Sequence, residues 1–487
     1  MKTKNVFIWI VACIWSIGTA NAAIRYVKPG GTGDGSSWAK AAGDILPATL
    51  TDGDIIFVAA GTYSITTNLA ITRSNVSLYG ACVGTETSVS QLAAVPDTVN
   101  NKTIIQYTGE AAGTGRVINA TSPNVLIQGF RITGGNLSSG NGGGLLIASG
   151  TVRYCTISGN KAPNGGGIRL NGSDANSAIE NCIISGNEAT VAGGGINLSK
   201  NTQVNNCIIQ ANKASTGAGG IYTTGGGGEE IDRCIIDGNE TAGGDGGGVV
   251  LNKALLTNSL VSNNKGGGTN RGGGIRISSG SNVSFVYNCT VVNNESGSGG
   301  GGGISSQNGI SFIKNCIAWN NRRNTSGTIT DDNLSTVKAI SSYSICTDAA
   351  DNNNLNADPL FTDAAHDDYT LQESSPARGA GDPSVGLTVD LAGNPRGTAT
   401  IDIGAYEYYT QETGLTPIAA GKTLLRYLSA TREIVVDNPA GTSITVYNPA
   451  GVCIVKKEAA TRISTAGWAK GVYIVKAETV AVKIAVN

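Results

Sequence analysis

Cys155-Thr-Ile-Ser-Gly-Asn160 returns with small changes as Cys182-Ile-Ile-Ser-Gly-Asn187, Cys207-Ile-Ile-Gln-Ala-Asn212, Cys234-Ile-Ile-Asp-Gly-Asn239, Ser259-Leu-Val-Ser-Asn-Asn264, Cys289-Thr-Val-Val-Asn-Asn294 and Cys316-Ile-Ala-Trp-Asn-Asn321. Successive first positions lie 27, 25, 27, 25, 30 and 27 residues apart. A glycine run closed by an aliphatic residue keeps the same beat, at Leu145, Ile168, Ile196, Ile221, Val249, Ile275 and Ile304. Short β-branched runs recurring at this length, with no 3.6-residue period, predict an all-β solenoid in which each repeat is one coil.

Stacking coils about 4.8 Å apart turns each repeated position into a column. Alternation along a strand puts the Cys column and the Ile/Val two residues later on one face, toward the core. The Asn that closes each phrase falls where the chain turns. An inward amide there bonds the coils above and below, satisfying corner groups that would otherwise be buried unpaired. The residue before Cys makes a partial second column: Asn181, Asn206, Asn258, Asn288 and Asn315. Glycine runs suit the other corner, where positive φ and close coil contact are needed.

The paired phrases, Gly-Gly-Gly-Ile and Ile-x-x-Asn, resemble the repeats of polymorphic outer-membrane protein adhesins and, more broadly, pectin-lyase-like right-handed parallel β-helices. The resemblance spans roughly residues 24 to 346. It implies a right-handed parallel β-helix. It leaves activity open, because lyases, hydrolases and non-catalytic surface proteins share that fold.

Gly supplies 70 of 487 residues and charged residues only 14%, as a tightly stacked solenoid requires. The net charge of −1 gives no reason to expect nucleic acid as a partner. Two lysines in Met1–Asn5, an apolar stretch from Val6 to Ile17 and Ala20-Asn21-Ala22 predict a secretory leader over residues 1–22. Ile10-Val-Ala-Cys13 also resembles a lipoprotein cleavage box, leaving lipidation of Cys13 as an alternative. No later segment reads as a membrane span.

The mature chain divides into three parts. Residues 23–409 form the solenoid with its two caps. In the first, Trp38 to Leu46 is expected to form a short helix over the open end. The second, about 347–409, carries Asp358-Pro-Leu-Phe361 and Ile401-Asp-Ile-Gly-Ala-Tyr-Glu407 and resembles a choice-of-anchor Q region. A linker at 410–422 precedes a domain at 423–487, whose alternating runs (Ile444–Tyr447, Val452–Val455, Val472–Val475, Val482–Val486) predict a small antiparallel sandwich. Its Asn438-Pro439 and Gly471-Val-Tyr-Ile-Val-Lys476 resemble a type IX secretion sorting domain; an ordinary Ig-like module is the alternative. The resemblance implies export from a gram-negative bacterium to its surface or surroundings, with the secretion machinery as a partner of this domain.

Catalytic material is scarce. Residues 123 to 173 and 246 to 294 hold no acid, and the single His, His366, lies outside the repeats, so Ser-His-Asp and His-metal sites lack their parts. Lyase and hydrolase signatures of the β-helix families are missing. Two residues before Cys the column reads Arg153, Glu180, Asn205, Asp232, Thr257, Tyr287 and Lys314. Glu180 and Asp232, two coils apart with backbones about 10 Å from each other, reach the spacing of an inverting glycosidase only if their side chains tilt together, or else belong to a solvated face with an Arg153–Glu180 pair. The acidic group Glu229, Glu230, Asp232, Asp237, Glu240 and Asp245 fits no calcium-loop pattern. No cofactor or metal is expected; calcium enters only under a lyase reading. Two function classes stand: a non-catalytic scaffold binding a polysaccharide or host-surface ligand, and a polysaccharide lyase or glycoside hydrolase. For the scaffold, Arg169, Tyr222 and Arg276, the middle positions after the glycine runs, are the candidate ligand contacts on the exposed wall.

Overall fold

The computed structural model describes residues 23–409 except 93–94, 97, 99–101, 110–112, 173–176, 270, 279–282, 307–310, 337–338 and 349–351. Beyond them it describes 424–428, 433–437, 443–448, 453–458, 462–466, 468, 471–477 and 480–486. The leader at 1–22 and the linker at 410–422 lie outside the described residues.

One coil shows the plan. Ser177–Glu180, Ile183–Ser185, Glu188–Ala192 and Ile196–Leu198 each add one strand to a different sheet. Repetition gives a first sheet of 12 strands and second, third and fourth sheets of 10 each. The pairing is parallel, apart from antiparallel partners at the two ends of the third sheet. The chain is an all-β parallel β-solenoid with a small antiparallel β-region at its C-terminus.

The corners explain the phrase. Between the first and second sheets the chain turns through one left-handed residue: Asn181, Asn206, Asn258, Asn288 and Asn315, with Tyr154, Arg233 and Tyr343 in the same place. Asn recurs there because it tolerates positive φ better than other non-glycine residues. A second left-handed position precedes the ladder Asn and is filled by Gly159, Gly186, Ala211, Gly238, Asn263, Asn293 and Asn320. The glycine runs are set by contact: a Cβ on Gly166 would lie 2.2 Å from the Glu188 carbonyl oxygen of the next coil.

Inside, Ile157, Ile184, Ile209, Ile236, Val261 and Val291 are fully buried, each contributing about 2 kcal/mol by leaving water. The Cys column lies beside them, with Phe130 one rung before Cys155 as its register requires. No disulfide joins these cysteines, and their side chains stack rung on rung. The Asn ladder is continuous. Each side chain from Asn187 to Asn264 accepts from the backbone and side-chain amides of the Asn one rung before, and donates to a carbonyl of that preceding coil. It opens on the Gly135 amide, and its last member, Asn333, receives no further Asn: Asp348 accepts from the Asn333 and Leu334 amides instead.

The residue after each ladder Asn forms an outward column on the third sheet: Lys161, Glu188, Lys213, Glu240, Lys265, Glu295 and Arg322, alternating in sign at every rung. Three ion pairs form along it, at 2.6, 3.3 and 3.6 Å. All are at least partly exposed and individually contribute well under about 1 kcal/mol.

Both caps depart from expectation. No helix spans Trp38 to Leu46; a single 3-10 turn covers Trp38–Lys40. Ala42 is instead drawn into extended pairing with the first strand, its amide donating to the Tyr26 carbonyl and its carbonyl accepting from the Lys28 amide. Trp38 packs outside the first sheet, 5.0 Å from the Tyr26 ring, while Ile45 reaches the core. At the other end the first described residues of the 347–409 region meet the last coil, where Leu355 exchanges backbone bonds with Ser344 and Cys346. The remainder, an arm over 358–409, runs back along the flank. Its Phe361, Tyr369, Leu371, Leu391 and Ile403 cover outward residues of the second sheet, Ile208, Ile235, Leu260, Val292 and Ile317. That apolar outer face demanded a cover, and the arm supplies it.

The C-terminal domain holds a three-stranded and a four-stranded antiparallel sheet, with Ile434, Ile444, Val446, Ile463, Tyr473, Val475 and Ile484 between them as its core.

Candidate functional site

Glu180 and Asp232 stand on the first sheet with Asn205 on the rung between them, so their backbones are about 10 Å apart. Asp232 is occupied: Arg233 Nε lies at 2.8 Å, Thr257 Oγ1 at 2.7 Å and Asn258 Nδ2 at 3.0 Å. Arg153 turns away from Glu180 and donates to Gln128 at 2.6 Å, so the expected cross-strand pair is not among the described ion pairs. The acidic group that looks compact in sequence is scattered in space. Glu229 is buried at an inward position, Glu240 pairs with Lys213 on the third sheet, and Asp245 lies 3.3 Å from Arg276. Among the described residues no group of three or more potential ligands could hold a metal ion.

Arg169, Tyr222 and Arg276 do share one column of the fourth sheet, separated by Asn197 and Val250. Their expected exposure fails at Arg276, which is 4% exposed. Its guanidinium folds onto Asp245 and donates to Ser305 Oγ at 3.1 Å, because the loop before the glycine run brings a carboxylate over it. Arg169 and Tyr222 are half-buried. Arg169 is held by Asn171, Asn197 and Ser199.

A concavity lies elsewhere, where the arm crosses the corner between the second and third sheets. It is an open cleft of about 670 Å³. The solenoid side presents half-buried Trp319 with Asn293, Asn320, Glu295 and Arg322; the arm side presents Asp358, Asp367, Tyr369 and Gln372. Hydrogen bonds lock the two sides together. Asn320 donates to Asn293, Asn293 donates to Tyr369 Oη at 2.8 Å, and Tyr369 donates to Asp367 at 2.9 Å. Asn293 and Asn320 occupy the left-handed corner, so the backbone that turns each coil also aims these amides outward. Asp367 is left-handed as well, ending the 3-10 turn Ala364–His366. One turn away, His366 Nδ1 meets Asp363 at 2.6 Å.

Asp237 sits two rungs before Val292 on the same outward column. Ser262 Oγ and Asn263 Nδ2 donate to it at 2.8 and 2.9 Å. Burial pushes its carboxyl above the usual range, and the Asp367 charge adds to that shift. An aromatic face beside rigid amides and carboxylates is the lining that grips hydroxylated rings.

None of these cleft residues is singled out by the sequence, although one signal is present. The outward column Ser158, Ser185, Gln210, Asp237, Ser262 is small or polar and then becomes Val292 and Trp319. An aromatic ending such a column marks a place where something is contacted.

Residues 118–294 match the family model described as a right handed beta helix region. No curated protein matches the chain in sequence. Among solved structures, the chain is similar to a crystal structure of pectate lyase Pel9A, with a TM-score of 0.48 and 14% identity over 80% of this chain and 98% of that one.

Proposed function

We propose that this protein is an exported, surface-displayed β-helix that binds a glycan in the cleft between arm and solenoid and does not cleave it. The observation that carries the reading is the cleft itself: half-buried Trp319 faces a fixed relay of Asn320, Asn293, Tyr369 and Asp367. Non-catalytic binding is favoured because Asp232 already accepts from three donors and its partner Glu180 lies across an open sheet face, outside the cleft. The leader and the C-terminal domain would deliver the protein to the cell surface. A glycan array probed with residues 23–487 tests the reading: binding to a defined glycan, reduced at least tenfold by Trp319→Ala with the fold intact, is expected. The second reading, polysaccharide cleavage, is tested on the same samples. No unsaturated uronate from pectin- or alginate-type polymers, with or without calcium, and no new reducing ends are expected. Turnover abolished by Glu180→Gln or Asp232→Asn in a folded protein would install the enzyme instead.

A further inference from the structure

The charges of the cleft restrict what can enter it. Asp358 and Asp367 project from the arm and are exposed, and among the described residues neither is ion-paired with a Lys or Arg. Glu295 faces them from the solenoid, partly offset by Lys265 at 3.6 Å. Arg322 is the one cationic side chain in the lining. A polyuronate would bring one carboxylate per sugar into this field, with a single guanidinium to receive it.

Resting on the glycan-binding reading above, we propose that the cleft selects a glycan bearing free amino groups, a 2-amino-2-deoxyhexose oligomer, and excludes polyuronates. The ring's apolar face lies on Trp319, the hydroxyls meet the Asn320–Asn293–Tyr369 relay, and the ammonium approaches Asp367 and Asp358 as a charge-assisted donor. Both carboxylates suit that task. Asp358 uses one oxygen to accept from the Leu360 amide, and Asp367 uses one to accept from Tyr369, leaving an oxygen of each for the ligand.

Calorimetry on the full mature chain with three probes decides the matter: glucosamine oligomers, their N-acetylated counterparts and oligogalacturonate of the same length. At pH 5.5 the glucosamine oligomer is expected to bind at least tenfold more tightly than the acetylated one, with no measurable binding of oligogalacturonate. The preference should shrink with added salt and disappear at pH 9, where the amine has lost its proton. Asp367→Asn keeps the acceptor for Tyr369, and Asn tolerates the left-handed backbone, so the variant should fold while its amino-sugar preference falls about tenfold. Equal binding of the acetylated oligomer, or tight binding of oligogalacturonate, overturns the charge selectivity while leaving the glycan cleft standing. An amino-sugar preference unchanged in both Asp367→Asn and Asp358→Asn overturns the placement of the ammonium. Failure of every glycan on the array overturns the underlying glycan-binding reading as well.

Discussion

Asn212 shows what a single corner side chain does in a stacked protein. Its amide donates to the Ile184 carbonyl and to Asn239 Oδ1, and its own Oδ1 accepts twice from Asn187, every bond at 3.0 Å. Asn212→Ala would leave these groups without partners in a site no water reaches, so a loss of about 3 kcal/mol is expected. Asn205→Ala removes only an outward amide 3.4 Å from Gln203, and its cost should stay below about 0.5 kcal/mol. Equal melting shifts for the two would contradict the inside/outside assignment. The neighbouring Ala211 is the one Ala in a left-handed corner otherwise filled by Gly and Asn. Ala211→Gly should therefore stabilise the protein by about 0.5–1 kcal/mol in denaturant titration, against the usual direction of such a change. These positions were legible from sequence because a repeated column averages out local noise. The reason for Asn before Cys was not legible, since a backbone torsion leaves no direct mark in a strand pattern.

Among the elements, the Cys column behaves as a packed hydrophobic ladder. Cys155 and Cys182 each donate their backbone amide to the next sulfur at 3.4 Å, and burial holds the Cys182 and Cys289 thiols well above their ordinary range. The ladder thiols should resist alkylation in the native protein at pH 8, with half-buried Cys453 reacting first. Denaturation without reductant should release nine thiols per mature chain; a count near three would mean paired rungs. The arm is tied down differently. Lys314 lies 2.9 Å from Asp382 and holds that carboxyl down at about 2 against an ordinary 3.8, with the Ser384 amide helping. A lowered folded-state value means that the contribution is complete above about pH 4 and is lost as pH falls through 2. Trp319 fluorescence should report a change in that window, and Asp382→Asn should remove the acid dependence. The arm's course was hidden from sequence because its contacts join residues over a hundred positions apart, such as Arg396 with Asn258 and Ala405 with Thr290. A hint was there in the second letter of each phrase, where Ile183, Ile208, Ile235 and Leu260 put apolar side chains on the face that alternation assigns to solvent.

At the scale of the whole molecule, the covered outer stripe and the cleft depend on the same folding-back. Without the arm, the stripe from Ile208 to Ile317 would lie open to water and the cleft would lose one of its walls. A chain stopped at residue 356 should keep its coils, as judged by circular dichroism, yet bind a hydrophobic dye and self-associate. A monomeric truncated chain with no dye binding would mean the stripe needs no cover. The candidate site thus escaped the sequence for a physical reason: it is formed by two stretches that acquire a common geometry only after the solenoid exists to receive the arm.

The sign-alternating column of the third sheet sets a parity rule for growth. Cys155, Cys207 and Ser259 are spaced by 52 residues, and so are Lys161, Lys213 and Lys265, which makes the repeating unit over residues 155–265 a doublet of unequal coils. Excising the coil that carries Glu188 would seat Lys161 directly on Lys213, whereas excising a doublet restores opposite neighbours everywhere. A lineage that lengthens or shortens this protein by recombination between its repeats would therefore be steered toward even steps, lengthening by doublets as a crystal adds whole unit cells.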